Sequence, residues 1–333
     1  MMMKKTALLA AALLAYTATL FAQLPDMYRE VDHVIWVVGD LKTVEKGWKK
    51  LGFSDIRRLP PVTLKAEHHP AIRARAAVAN LGGLRVFWLE TDKMGGFLRS
   101  FHEENGDAIL ALVHSAGDRA TRQAEVKRLA ENGLQEMLTV EFNTNVGDLD
   151  YVFTGTRNMG KYEMALCDRN TSRLLFDAIG EGNNRFGLRF SQYAFAILEP
   201  EPVSDFWVGL GFPEIEITHP EVHDKAYYGV PADFSMDLGW QRHGRIVYEW
   251  CLPLSGPTVY KDHIGAKGEG LQHFGFNAED IDEVIESWEA LGLVGSQSGG
   301  WGEKGKPGSG RFYYADTTPY GGVTVELLWN YRD

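Results

Sequence analysis

Two stretches decide the fold: His33–Phe53, HVIWVVGDLKTVEKGWKKLGF, and His273–Leu293, HFGFNAEDIDEVIESWEALGL. Each reads as a strand-like run, an Asp/Glu turn, an amphipathic helix, then a glycine followed by an apolar residue. Two further stretches share the plan, Ala111–Leu134 (ALVHSAGDRATRQAEVKRLAENGL) and Gln192–Phe212 (QYAFAILEPEPVSDFWVGLGF). The anchor positions 33, 111, 192 and 273 are 78, 81 and 81 residues apart. The helix-ending glycines Gly52, Gly133, Gly211 and Gly292 follow their anchors by 19, 22, 19 and 19 residues. A left-handed cap at each would stop the helix there.

Behind every helix come alternating or β-rich runs punctuated by Gly, Asn and Pro, among them RVFWLET, YEMALCD, RIVYEWCL and GGVTVELLW. Each unit is therefore a strand, a helix and about three more strands. A period near 80 exceeds that of solenoid repeats and suits a small α+β module that must pair with a sister to close a core. Pairing neighbours predicts one domain over 24–176 and a second over 186–333, with Gly180–Arg185 as the linker.

Residues 1–22 read as a secretory leader: basic Met1–Lys5, the apolar run TALLAAALLAYTATLFA over 6–22, then polar Gln23. That run is short for a spanning helix, which needs roughly 20 apolar residues, and an uncleaved N-terminal anchor is the alternative. The expectation is an exported chain, periplasmic or extracellular. Formal charge is −11 in 333 residues, with no Lys/Arg-rich run, which argues against nucleic acid and anionic membrane surfaces as partners. Two cysteines, Cys167 and Cys251, exclude a disulfide scaffold and any all-Cys metal cluster; they lie in different halves, so two buried thiols are expected, with pairing after export as the alternative.

The four-module plan resembles the vicinal oxygen chelate superfamily: glyoxalase I, methylmalonyl-CoA epimerase, extradiol dioxygenases and bleomycin-resistance proteins. The last module carries the likeness most specifically, in GEGLQHFGFNAEDID (268–282) and FYYADTTPYGGVTVELLW (312–329), which look like the closing half of an epimerase or glyoxalase I. The resemblance implies four βαβββ modules paired into two cup-shaped, half-barrel domains, with a divalent metal inside a cup. Its metal positions fall on Gln192, Glu249, His273 and Glu326. That Gln-Glu-His-Glu set resembles some glyoxalase I enzymes and departs from the two-His, one-carboxylate set of extradiol dioxygenases, because Gln192 stands at the first histidine.

Strand alternation is consistent with this assignment. Gln192, Ala194 and Ala196 share one face, opposite Tyr193, Phe195 and Ile197. His273 shares a face with Gly275 and Asn277, opposite Phe274 and Phe276. Glu249 lies between Tyr248 and Trp250, and Glu326 between Val325 and Leu327. Taken singly, a glutamate or histidine in a strand is ordinarily solvated or a core residue. The pairs, however, repeat in register: Glu249 follows Gln192 by 57 residues, and Glu326 follows His273 by 53. The mixed oxygen and nitrogen set suits one Zn, Ni, Co, Mn or Fe(II) ion and does not choose among them.

In the first half His33 and Glu90 are also 57 apart, but Ala111 replaces the second histidine and Glu163 is only loosely in register. Ile35, Val37, Val86, Trp88 and Val113 are bulky where a ligand cup needs space, so this half reads as a degenerate copy with His33 and Glu90 hydrogen-bonded or weakly metal-competent. His68 and His69 read as surface loop; His219 and His223 as solvated loop or a cap on the cup; and GGWGEKGKPGSG before Arg311 as a lid or a plain connector.

The expected chemistry is proton transfer beside a carbonyl, as in a lyase, isomerase or epimerase, with Glu326 or Glu249 as the base and the metal as Lewis acid. The substrate would be a small molecule with adjacent oxygens. Export argues against glutathione adducts and coenzyme A thioesters. The alternatives are an Fe(II) extradiol-type dioxygenase and a non-catalytic protein that binds a small molecule or metal. Oligomeric state stays open, since such modules also pair between chains.

Overall fold

Each of the quoted stretches forms the strand and helix that open one unit, with the return strands following, in a computed structural model that describes residues 24–66, 69–90, 96–135, 137–145 and 147–331. The leader sequence and His68 lie outside the described residues. The first unit holds β1 (His33–Val38), α1 (Leu41–Lys50), β2 (Ile56–Ala66), β3 (Ile72–Leu81) and β4 (Leu84–Glu90), and α2 (Phe97–Asn105) leads out of it. The second holds β5 (Ala108–Ala116), α3 (Arg119–Glu131), β6 (Leu138–Thr144), β7 (Gly147–Phe153), the short α4 (Arg157–Gly160) and β8 (Met164–Asp168), followed by α5 (Arg169–Phe176).

The third unit runs β9 (Arg189–Ala196), α6 (Pro200–Gly209), β10 (Glu216–Thr218), an inserted hairpin β11 (Val222–Tyr227) and β12 (Val230–Pro231), β13 (Ser235–His243) and β14 (Ile246–Ser255). Helix α7 (Val259–Lys267) leads to the fourth: β15 (Gly270–Asn277), α8 (Ile281–Ala290), β16 (Gly295–Trp301), β17 (Gly310–Ala315) and β18 (Thr324–Asn330).

The helix signals behave as expected. Asp40, Asp118 and Asp280 accept hydrogen bonds from backbone N–H groups of the first turns of α1, α3 and α8. Gly52, Gly133, Gly211 and Gly292 end the four module helices at φ between 87° and 100°, a region closed to most side chains.

The six return strands of each pair of units close differently in the two lobes, and this difference positions the site. In the first lobe β1 pairs β5 and β2 pairs β6, giving a closed barrel in the order β1-β4-β3-β2-β6-β7-β8-β5. The lobe is thus a complete barrel rather than the half-barrel anticipated from the sequence. Its interior is filled by Ile35, Val37, Phe87, Leu89, Val113, Phe142 and Tyr151, with Leu98 and Phe101 of α2 among them. Val86 and Trp88, expected inside, lie on the outer face, and Phe87 and Leu89 take their place. The first half is packed solid as expected, but the strand phase of β4 is the reverse of the one inferred.

In the second lobe β9 pairs β15, but β10 and β16 do not meet. β10 adds to β13 at one edge and β11 to β16 at the other, so residues 219–221 span from one side of the sheet to the other. The ten-stranded sheet curls into a cup. The outer faces of both lobes share one core, in which Trp36 and Trp48 of the first lobe meet Phe274 and Trp288 of the second. Trp36 donates its indole N–H to the Gly321 carbonyl at 2.7 Å. The stretch Gly180–Arg185 is tied to the first unit: Gly182 N–H donates to Asp55, and Asn80 donates to the Gly180 carbonyl.

One buried group makes the first lobe acid-sensitive. His114 is fully buried, its Nδ1 facing the Glu30 carbonyl at 2.8 Å and its Nε2 without a partner. Burial lowers its pKa to about 4, despite the opposing pull of that carbonyl. The unfolded chain, with a histidine near 6.5, binds the proton first, so stability present above pH 6.5 is lost as pH falls toward 4. The loss through this group should approach about 3 kcal/mol. Urea unfolding at pH 7 and pH 4.5 should therefore show a smaller pH dependence in His114→Gln than in the wild type; equal dependence contradicts the assignment.

Candidate metal centre

The ligand candidates come from the cup-facing positions of four neighbouring strands. On β9, Gln192 points into the cup with Ala194 and Ala196, while Tyr193 and Phe195, and Ile197 just past the strand's end, enter the shared core. On β14, Glu249 and Cys251 face inward between core-facing Tyr248, Trp250 and Leu252. On β18, Glu326 sits between Val325 and Leu327 of the shared core. Parallel pairing sets Glu249 beside Ala194 and Glu326 beside Gly275, which brings the four positions to one level.

They meet closely. His273 Nε2 lies 3.2 Å from Glu249 Oε2 and 3.3 Å from Glu326 Oε2. Gln192 Nε2 donates to the same two oxygens at 2.7 and 3.1 Å. All four side chains are buried. A Cβ at position 275 would come within 2.6 Å of Gln192 Cγ, so only glycine leaves the amide its path across β15.

His273 itself is aimed by an irregularity. A register shift between Leu271 and His273 interrupts the pairing of β15 with β9. Leu271 and Phe274 both join the shared core, so the two residues between them are displaced from simple alternation. This brings the buried side chain of Gln272 beside its neighbour, with Oε1 at 2.5 Å from His273 Nδ1. Nδ1 therefore donates to Gln272, which turns Nε2 toward the two carboxylates, as a donor when protonated and as the free ligand atom when not. Sequence reasoning missed Gln272, for which the spacing of Leu271 and Phe274 is the only trace of the shift. Replacing it with leucine, which keeps the volume, should weaken divalent-metal binding about 10- to 100-fold, measured by competition with a chromogenic chelator. Unchanged affinity would show that Gln272 does not orient the ring.

Three acceptors converging on one point need a cation or a proton between them. With protons alone, burial opposes a charge on His273, but hydrogen bonds and charges from Glu249 and Glu326 outweigh it and raise its pKa to about 9. Burial, reinforced by the Glu326 charge, pushes the Glu249 carboxyl above its usual range. A bound divalent ion would remove both penalties, and turning the Gln192 amide would present its oxygen in place of Nε2. The donor set fits such an ion. Cys251 adds a buried thiol close to Glu249 and His273, with ligand atoms of all three within 4.8 Å of one another.

Above this floor opens a cavity of about 610 Å³ lined by Trp240, Arg242, Trp301, Phe312 and Tyr314, with Thr218, Pro220, Glu221 and Val222 of the spanning segment across it. Helix α7 seals the base: Val259 and Tyr260 pack beneath, and the Tyr260 and Tyr314 hydroxyls lie 2.8 Å apart.

The other candidates do not gather. His33 faces Asp32 at 2.7 Å and Tyr151 at 3.0 Å, whereas Glu90 accepts from Leu41 N–H and pairs with Arg75 on the outer side of β4. They are hydrogen-bonded, but not to each other. Glu163 accepts from Gly155 N–H. His219 is exposed beside Asp237, and His223 pairs with Asp224, so the segment crosses the cup while its histidines turn away. The glycine-rich stretch forms the β16–β17 hairpin, contributing Trp301 to the cavity wall. Cys167 and Cys251 are free buried thiols in separate lobes.

No protein-family model matches the chain, and no curated protein matches it in sequence. Solved structures do. A triple mutant of 4-hydroxymandelate synthase from Streptomyces coelicolor superposes with TM-score 0.60 at 14% identity, covering 91% of this chain and 94% of that one. A xylose isomerase-like TIM barrel/4-hydroxyphenylpyruvate dioxygenase fusion protein aligns at TM-score 0.48 and 15% identity over 91% of this chain and 49% of its own. The architecture, a closed α+β barrel joined to a cup-shaped sheet, is a fold this chain shares with 4-hydroxymandelate synthase.

Proposed function

We propose that the second lobe is the active centre of a divalent-metal-dependent enzyme that grips a small molecule through adjacent oxygens, and that its reaction is an oxygenation of the Fe(II) extradiol type. The observation that carries the proposal is the convergence of Gln192, Glu249, His273 and Glu326 at the floor of a cavity large enough for a small organic molecule. The oxygenase reading is supported by the likeness of both lobes together to 4-hydroxymandelate synthase, named for an aromatic hydroxy acid, and by a resemblance that already includes extradiol dioxygenases.

Gln192, His273 and Glu326 would hold the ion, with Glu249 as a fourth donor. A bound divalent ion supplies Lewis acidity to chelated oxygens and, as Fe(II), redox capacity toward dioxygen. The protein's part is to fix the donors and keep the floor dry. Gln272 holds the His273 tautomer, α7 blocks the base, and Trp240, Trp301 and Phe312 present flat apolar walls to the substrate.

A second reading rests on Glu249. An extra buried carboxylate, raised in pKa by its surroundings, can take a proton from carbon beside a carbonyl and return it. The Gln-Glu-His-Glu set, with its glyoxalase I-like composition, supports that lyase or isomerase chemistry. Oxygen uptake by the reduced, Fe(II)-loaded protein with catechols and hydroxy-keto acids tests the first reading. Uptake tied to substrate loss supports it. Solvent-deuterium exchange into substrate on the Zn-, Ni-, Co- or Mn-loaded protein without oxygen uptake would transfer the assignment to the second. Full stability after chelation with neither reaction would leave a binding protein. We also propose export, on the leader alone, which places the substrate outside the cytoplasm.

A further inference from the structure

The inner face of β13 rises from the cup floor as Met236, Leu238, Trp240 and Arg242, all lining the cavity. Register sets Trp240 beside Glu249 and Arg242 beside Val247. Arg242 thus stands one pleat repeat above the candidate ligands, roughly 7 Å along the strand. Its guanidinium lies over the Trp240 ring, 4.9 Å from the centroid, and that ring is pinned by Trp240 Nε1 donating to Thr218 Oγ1 at 3.0 Å.

Two facts make this arginine informative. Among the described residues lining the cavity it is the one Lys or Arg, facing Glu221 at the rim and Glu249 and Glu326 at the floor. No described carboxylate lies within ion-pair distance of it, whereas neighbouring Arg245 pairs with Glu30 and Arg311 with Asp282. Asn277 and Asn330, also lining the cavity, lie 3.4 Å apart through their amides. Between rim and floor stand Trp240, Trp301, Phe312 and Tyr314. The cavity therefore offers a chelating floor, aromatic walls, and a fork-shaped cation with open donors near the top.

Resting on the reading of the floor as a metal centre, we infer that Arg242 sets specificity for a flat, carboxylate-bearing substrate. Its adjacent oxygens bind at the floor, and its carboxylate lies at the opposite end of the ring. Arg242 holds that carboxylate by paired N–H donors. The residue stands away from the candidate ligands, so its loss affects which molecule binds and leaves the metal in place.

The probes are 3,4-dihydroxybenzoate and its methyl ester, which share the adjacent oxygens and differ in the distal charge. They are titrated into Co(II)-loaded protein, with the visible cobalt bands reporting binding. The wild type should bind the acid roughly tenfold or more tighter than the ester. Arg242→Gln should lose that preference while keeping its cobalt content and its affinity for the ester. Arg242→Lys should retain part of the preference, as a charge without the fork. An unchanged acid-to-ester ratio in Arg242→Gln overturns the role of Arg242 and leaves the metal centre standing. Cobalt that does not bind overturns the metal-centre reading and this inference with it, whereas cobalt bands that neither probe perturbs overturn this inference alone.

Discussion

Replacing His273 with alanine should leave the second lobe unable to hold a divalent metal and should abolish turnover. His273 contributes the one imidazole of the cluster, and its Nε2 is the atom both carboxylates approach. Loss of an indirect partner of a metal ligand typically costs 10- to 100-fold in affinity, so loss of the ligand itself should exceed about a hundredfold. The metal-free variant is informative too. Without the ring, two buried carboxylates face each other with only the Gln192 amide between them. Breaking a buried charged cluster by removing one member costs on the order of 3–5 kcal/mol. Glu249 is already raised in pKa, and a carboxyl whose folded-state pKa is raised favours folding below its unfolded pKa and loses that contribution as pH rises through the folded value. The apo variant should therefore lose stability as pH rises through that raised value. Chelator competition and urea unfolding of the variant check both parts; wild-type metal affinity would remove His273 from the site.

The second large effect concerns the joint between lobes. Trp36→Ala should destabilise the protein by about 3–5 kcal/mol, the usual range for deleting a fully buried indole. Trp36 is completely buried, packs edge-on against Trp48 and Phe274, and satisfies the Gly321 carbonyl of the second lobe. Its removal leaves a cavity between the lobes and an unpaired carbonyl. Equilibrium urea unfolding followed by fluorescence and by circular dichroism measures the change. A loss below about 1 kcal/mol would show that the lobes are stabilised independently of this joint.

The four-module plan is legible in the sequence because it rests on local signals repeated at one spacing: aspartate caps, a glycine in the left-handed region after each helix, and strand alternation in β9, β14 and β18. The four candidate ligands follow from the same alternation and from the resemblance. What the sequence hides is non-local or irregular. Whether a pair of modules closes depends on strands from different units meeting edge to edge. β2 and β6 meet, and β10 and β16 do not, and no local composition encodes that. The inserted hairpin after β10 reads as loop because its partner, β16, lies some 75 residues away in sequence. The phase of β4 reads in reverse because the strand is apolar on both faces, which erases the period-two signal. The Gln272 contact depends on an irregular register, which breaks the alternation used to read its neighbours. Arg242 has a faint signal in Trp240-Gln241-Arg242, where a cation follows an aromatic on one strand face.

The most direct test is an anomalous-difference map from crystals of the protein loaded with one divalent metal. A single strong peak enclosed by Gln192, Glu249, His273 and Glu326 is expected. A peak elsewhere, at His33 or the exposed His219 and His223, with none at the cup floor, would contradict it.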